Sequence, residues 1–122
     1  NSSNAPEANK ILRSLNEKIE KKVYENAKGY NTVSDYKASL IAFDNFIADF
    51  PGTPFKEDAL FYKYDSAFQL AINSVPSKME ERLNNAKLAY SNLIKFNSDT
   101  KHKEKANQML VQIDKKLQNF TK

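Results

Sequence analysis

The chain has 122 residues, a formal net charge of +4, 40% apolar residues and 28% charged residues, a composition typical of a single globular domain. It contains no cysteine, one histidine and two glycines. These counts exclude disulfides, cysteine nucleophiles, histidine metal clusters and glycine-rich phosphate loops.

The first predicted helix is long and runs from Glu7 to about Tyr30. Its apolar residues recur every three or four positions, which predicts one stripe along a helix. The stripe consists of Leu12, Leu15, Ile19, Val23, Ala27 and Tyr30. The polar segment 31–34 ends this helix, and Ser34 or Asp35 is predicted to cap the next one.

The second and third predicted helices are separated by a turn with two prolines, at 51–54. Proline lacks a backbone N–H, so the second helix is predicted to end there, with Thr53 as N-cap and Pro54 as first residue of the third helix. The second helix carries Tyr36, Leu40, Phe43, Ile47 and Phe50. The third has a wide apolar arc of Leu60, Phe61, Tyr64, Ala67, Phe68, Ala71 and Ile72.

The fourth and fifth predicted helices follow polar breaks at 73–76 and 97–100. Ser77 and Glu80 match a capping box at the start of the fourth helix. Its apolar stripe is Met79, Leu83, Ala86, Tyr90 and Leu93, and that of the fifth is Ala106, Leu110, Ile113, Leu117 and Phe120. No strand signal appears in the sequence, so the chain is predicted to be all-α, and because the connections are short, its about five helices are predicted to pack antiparallel.

An internal repeat is visible at a constant offset of about 47 residues. It aligns Phe43, Phe46, Pro51 and Ala59 with Tyr90, Leu93, Ser98 and Ala106. The first unit resembles a tetratricopeptide repeat at Ala27, Tyr30, Ser39, Phe43, Phe46 and Pro51. The second unit has a longer loop, so the usual period of about 34 residues is not kept. The pattern predicts a tetratricopeptide-like helical-hairpin solenoid that forms one domain over 1–122.

Four longer segments, 35–54, 57–64, 71–75 and 80–84, resemble the outer-membrane assembly lipoprotein BamD family in its Bacteroidetes-type branch. The first of them reads DYKASLIAFDNFIADFPGTP. The similarity covers essentially the whole chain and corresponds to the family's C-terminal tetratricopeptide-repeat region. The chain would then be the C-terminal fragment of a longer protein.

The resemblance implies a protein-binding scaffold and not an enzyme. Members of the family are lipid-anchored at the periplasmic face of the outer membrane and help to insert β-barrel proteins by docking on the periplasmic domains of BamA. The signal peptide and the anchor would lie upstream of this chain. The other interpretation is a tetratricopeptide adaptor of a different bacterial complex, outside outer-membrane assembly.

The candidate partner-binding residues lie on the third helix and are Tyr62, Asp65, Gln69 and Asn73. The first helix of each pair in such solenoids lines the concave surface, so an exposed tyrosine among polar groups suits a protein contact. A solvated helix face with one amphipathic tyrosine is the competing interpretation. The family motif assigns no binding residue individually, so none is transferred.

No catalytic, cofactor-binding or metal-binding residue is predicted. His102 is expected at the surface among Lys101, Lys103 and Lys105, which would repel a cation. Glu80 and Glu81 are adjacent and point about 100° apart on a helix, which is unsuitable for an acid and base pair.

The charge pattern argues against a nucleic-acid partner. Both ends of the chain are basic and the middle is slightly acidic, while Arg13 and Arg82 are the only arginines. Nucleic-acid surfaces concentrate basic groups on one face with arginine or aromatic side chains available for bases. No run of about 18 apolar residues is present either, so membrane attachment is expected only through the upstream lipid anchor.

Overall fold

The computed structural model describes residues 5–121 and contains five α-helices and a closing 3-10 turn, with no strand in that range. The elements are α1 (Ala5–Thr32), α2 (Tyr36–Asp49), α3 (Lys56–Ile72), α4 (Pro76–Phe96), α5 (Lys103–Leu117) and the turn Gln118–Phe120. The predicted all-α fold and the number of helices are confirmed.

The helices pack as successive hairpins. The first hairpin is α1 with α2, the second is α3 with α4, and α2 and α3 join them through a second broad contact. The fifth helix packs on α4 and also touches α3, while α1 touches α3. The first helices of the two hairpins, α1 and α3, therefore lie side by side. The fifth helix lies beside α3 in the same way, on the side away from α1.

The core consists of two clusters that share neighbours. The smaller cluster is Tyr24, Ala27, Phe43, Phe46 and Ala59. The larger cluster contains Leu60, Phe61, Tyr64, Ala67, Phe68, Ala71, Leu83, Ala86, Ala89, Leu93, Ala106, Met109 and Ile113. Ile47 and Tyr62 pack against both clusters, so apolar packing is continuous from α1 to α5.

The turn that enters α3 is repeated at the entrance to α5. The Thr53 hydroxyl accepts a hydrogen bond from the Phe55 amide at 3.1 Å, and the Thr100 hydroxyl accepts one from the His102 amide at 3.2 Å. Thr100 and His102 follow Thr53 and Phe55 by the same offset of about 47 residues that the sequence repeat shows. The repeat is thus present in backbone geometry as well as in the apolar pattern.

An aromatic stack accompanies each copy of this turn. The Phe55 ring stacks on Tyr24 of α1 at 5.0 Å between centroids, with an interplanar angle of 13°. The His102 ring stacks on Phe61 of α3 at 4.0 Å and 6°. In both copies the ring just before a helix (α3 or α5) lies against an aromatic side chain of the helix two positions earlier in the chain (α1 or α3).

Two of the predicted helix starts are wrong. The N-cap of α3 is Phe55 and not Thr53, because the buried Thr53 closes a turn onto the Phe55 amide before the helix begins. No Ser77–Glu80 capping box forms, because α4 already begins at Pro76, whose fixed φ and missing N–H suit the first helical position. Of the two predicted caps of α2, Ser34 and Asp35, the structure confirms Asp35, whose side chain accepts a hydrogen bond from the Ala38 amide at 3.3 Å.

Only two members of the predicted stripe of α1 reach the core, since Ala27 is fully buried and Val23 packs against the smaller cluster. Tyr24 and Ala27 are the buried residues of this helix, whereas Leu12, Leu15 and Ile19 are 48% to 56% exposed. Tyr30, the last member of the stripe, is also exposed. The 14 residues of α2 span about 21 Å and the 28 residues of α1 about 42 Å, so α2 covers only one half of its partner.

Candidate functional site

The predicted polar stripe of α3 lies on the side of that helix that faces α1. Lys28 places its Nζ atom 4.8 Å from the centroid of the Tyr62 ring. Three residues further along α1, the Asn31 side-chain amide donates to Asp65 Oδ2 and Ser66 Oγ, both at 2.9 Å. The first half of the stripe, Tyr62 and Asp65, therefore makes contacts within the protein.

Tyr62 is half-buried, which corrects the expectation that it is exposed. Its ring lies parallel to that of Phe43 at 6.5 Å and edge-on to His102 at 6.4 Å. The sequence places Tyr62 outside the apolar arc of α3, but α1 and the start of α5 close over it. A substitution of Tyr62 changes packing in both core clusters, so it is unsuitable as a probe of binding alone.

Gln69 and Asn73 form the accessible half of the stripe, beyond the level of Asn31 near the C-terminal end of α1. Asn73 is exposed and Gln69 is half-buried. The Asn73 side-chain amide donates to the Gln69 carbonyl at 2.8 Å and so closes the last turn of α3. All four predicted residues share one side of the helix, but only this pair remains open for a partner's polar groups.

Small residues let α1, α2 and α3 approach closely behind the stripe. The hydroxyl oxygens of Ser39 and Ser66 lie 2.7 Å apart, and both residues are fully buried. Asn31 extends this network to the surface through its bond to Ser66. Because every buried polar side-chain atom among the described residues has a hydrogen-bond partner, the network holds the helices in one register.

A cluster that the sequence analysis did not identify joins α3 to the α4–α5 connection, and we call it the Glu57 clamp. Glu57 accepts hydrogen bonds from Asn97 Nδ2 at 3.1 Å, Thr100 Oγ1 at 2.7 Å and the Lys101 amide at 3.3 Å. The hydrogen bond from Thr100, followed by that from Asn97, holds the pKa of Glu57 below its usual value. The ionised carboxylate thus ties the start of α3 to the connection that leads into α5.

Asp58 forms a second link beside the clamp. Its Oδ1 atom lies 2.8 Å from His102 Nε2 and 3.1 Å from Lys101 Nζ. Burial acts to raise the pKa of Asp58, but the hydrogen bonds from His102 and Lys101 outweigh it and lower the pKa. The His102 side chain is 18% exposed, so this residue is a structural contact and not the surface histidine that was predicted.

Glu57→Gln is expected to lower the free energy of unfolding by about 1 kcal/mol at pH 7, because the neutral amide is a weaker acceptor for three donors. A thermal melt followed by circular dichroism should show a melting temperature lower by about 4 °C. Glu81→Gln, a change of equal charge at an exposed position of α4, is the matched control and should melt like the wild type.

The stabilisation by Glu57 should decrease as the pH is lowered. The folded state lowers the pKa of Glu57 from 4.5, so its stabilisation is complete above that pH and is lost as the pH falls through the lowered value. The difference between wild type and Glu57→Gln should therefore shrink on acidification. An equal difference at pH 7 and pH 3 would contradict the role of the ionised carboxylate.

The opposite side of the fold carries an open groove between α2 and α4, with α3 as its floor. Two adjoining cavities of about 470 and 230 Å³ form it and share Asp44, Lys63 and Asn92. The other lining residues are Leu40, Ile47, Ala48, Lys56, Leu60, Ala67, Asn85, Leu88, Ala89, Lys95 and Phe96. We call this feature the lysine groove. Its residues are far apart in the sequence, so no local pattern predicted it.

The described residues contain no group of acidic, histidine or cysteine side chains that could hold a metal ion. None of the helices within residues 5–121 has the length and apolar character to cross a membrane. The architecture defines an all-α protein built of stacked helical hairpins. No known family model matches the chain, and no curated protein matches it.

Proposed function

We propose that this protein is an interaction scaffold of the outer-membrane β-barrel assembly machinery and docks on the periplasmic domains of BamA. The observation that carries the proposal is the inter-hairpin turn, which recurs with the same hydrogen bonds and ring stacking at the offset of the sequence repeat. The resemblance of 35–54 and three later segments to the BamD lipoprotein family supplies the particular machinery.

The proposed mechanism is binding by a preformed surface. Stacked tetratricopeptide hairpins with a continuous core present their side chains without folding on contact, which reduces the entropy lost on association. Gln69 and Asn73 are polar, so the interface is of the moderately polar, non-obligate kind. The scaffold acts without catalysis, cofactor or metal, and an upstream lipid anchor holds it in the periplasm at the outer membrane.

A tetratricopeptide adaptor of another bacterial complex is the alternative function. The same turn and hairpin geometry support it, since stacked helical hairpins suit protein binding and specify no particular partner. The complete gene distinguishes the two. A signal peptide followed by a lipidated cysteine supports the outer-membrane function, and a cytoplasmic start supports the other adaptor.

The binding prediction uses the accessible half of the stripe. The double variant Gln69→Ala with Asn73→Ala is expected to weaken binding to the cognate BamA periplasmic domains by about tenfold, since two polar contacts are lost. Titration calorimetry measures the affinity, and circular dichroism on the same samples checks the fold.

The matched control replaces the exposed amides Asn45 and Asn84 by alanine, on α2 and α4. It should bind like the wild type. Absence of binding by the wild-type chain would overturn the docking proposal, whereas unchanged binding by the Gln69 and Asn73 double variant would remove only this contact surface.

A further inference from the structure

We propose that the lysine groove between α2 and α4 is a second binding site, which takes an extended acidic peptide segment of a partner protein with bulky apolar anchors. The groove lies on nearly the opposite side of α3 from Gln69 and Asn73, because Lys56, Leu60 and Lys63 point away from the stripe. The inference therefore goes beyond the docking on BamA and stands on different residues.

The groove has apolar lining at both ends, and part of that lining is accessible. Ile47 and Leu60 line one end together with Phe96, whose side chain remains 49% exposed although it is one of the largest in the chain. At the other end Leu40 and Leu88 line the adjoining cavity, and Leu88 is also exposed. Two apolar sites are thus available to anchor side chains of a partner.

The positive charge of the lining side chains selects an acidic partner. Three lysines line the groove, and Asp44, its single acidic side chain in the described part of the chain, is paired with Lys63 at 2.6 Å. Lys56 and Lys95 form no salt bridge within residues 5–121. Lys56 lies over the Phe96 ring at 5.6 Å, so a positive charge and an apolar surface are presented together.

The dimensions fit an extended segment of a few residues. From Asn85 to Phe96 the groove follows α4 for about 16 Å. An extended peptide covers this length with about five residues. Asn85 and Asn92 carry side-chain amides along the wall that can bond to its main chain, as peptide grooves require.

The test is an NMR titration of the ¹⁵N-labelled chain with the peptide acetyl-Leu-Ser-Ser-Ser-Phe-Asp-Glu, whose leucine and phenylalanine lie about 13 Å apart when extended, close to the spacing of about 12 Å between Leu88 and Phe96 along α4. Its leucine and phenylalanine supply anchors, and its two acids supply the charge for Lys56 and Lys95. The control peptide replaces both acids by their amides. We expect the acidic peptide to shift amide signals of Ile47, Leu88 and Phe96 and to bind about fivefold more tightly than the control peptide.

Two test variants and one control variant separate the contribution of charge from that of the apolar anchor. The double variant Lys56→Gln with Lys95→Gln is expected to weaken binding about fivefold, and Lys37→Gln with Lys78→Gln, two exposed lysines outside the groove, should leave it unchanged. Phe96→Ala should weaken binding about fivefold through the lost apolar contact. Circular dichroism verifies that each variant is folded.

The opposite results would overturn the proposal. These are equal binding of the acidic and neutral peptides, shifts that map outside the groove, equal loss in the control lysine variant, or no binding at millimolar peptide. Groove signals that move with protein concentration alone would show that a second copy of the chain occupies the groove, which also contradicts a partner peptide. The titration contains no BamA, so its outcome is independent of the proposed docking.

Discussion

Phe43→Ala is expected to lower the free energy of unfolding by about 3 to 5 kcal/mol, out of about 5 to 15 kcal/mol for a whole domain. Phe43 is fully buried at the centre of the smaller core cluster. Its ring meets Tyr24 of α1 edge-on at 6.2 Å and lies parallel to Tyr62 of α3 at 6.5 Å. Truncation removes contacts with both α1 and α3 and leaves a cavity that the fixed backbone cannot fill.

Chemical denaturation measures this loss, and the melting temperature should fall by about 10 to 20 °C. Ile41→Ala is the matched control, because Ile41 is an apolar residue of the same helix that is 63% exposed. It should change the stability by less than about 0.5 kcal/mol. An unchanged melting curve for Phe43→Ala would show that the repeat register assigned to α2 is wrong.

Deletion of 101–122 is expected to have the largest effect, namely aggregation of the remaining chain. Ala106, Met109 and Ile113 of α5 are buried in the larger core cluster, and their removal exposes apolar surface of α3 and α4. It also leaves the buried Tyr64 hydroxyl without the Ala106 carbonyl that accepts its hydrogen bond at 2.9 Å. Light scattering with size-exclusion chromatography measures the association.

A deletion at the other end provides the control. Residues 5–16 of α1 are all exposed, so removal of 1–16 takes away no core residue among those described. That variant should keep the melting temperature of the whole chain within a few degrees. A chain without 101–122 that stays monomeric and equally stable would show that α5 is not needed to cover the apolar surface of α3 and α4.

The local sequence determined where the helices lie. The polar breaks after α1, α3 and α4, the proline turn after α2 and the period of the apolar residues between them predicted all five helices, with errors confined to the ends. The fourth helix shows the reason for those errors. Ser77 and Glu80 have the spacing of a capping box, but Pro76 is equally suited to open a helix, and the sequence does not rank the two signals.

Side-chain periodicity also identified most of the core. Phe43, Tyr64, Leu83, Leu93 and Ile113 were all placed on apolar stripes and are all fully buried. Each of these residues lies in a core cluster shared with neighbouring helices, so the apolar stripe and the buried face coincide at these positions. The offset of the internal repeat was also found from the sequence alone, because it requires only a comparison of the chain with itself.

Tertiary structure alone decided which residues of α1 are buried and which members of the polar stripe are accessible. Leu12, Leu15 and Ile19 form a regular stripe, yet they remain exposed because α2 is too short to reach them. Tyr62 has polar neighbours along its helix, but α1 and α5 cover it. Periodicity gives the direction of a side chain on its own helix, whereas burial depends on the length and position of other helices, which neighbouring residues do not encode.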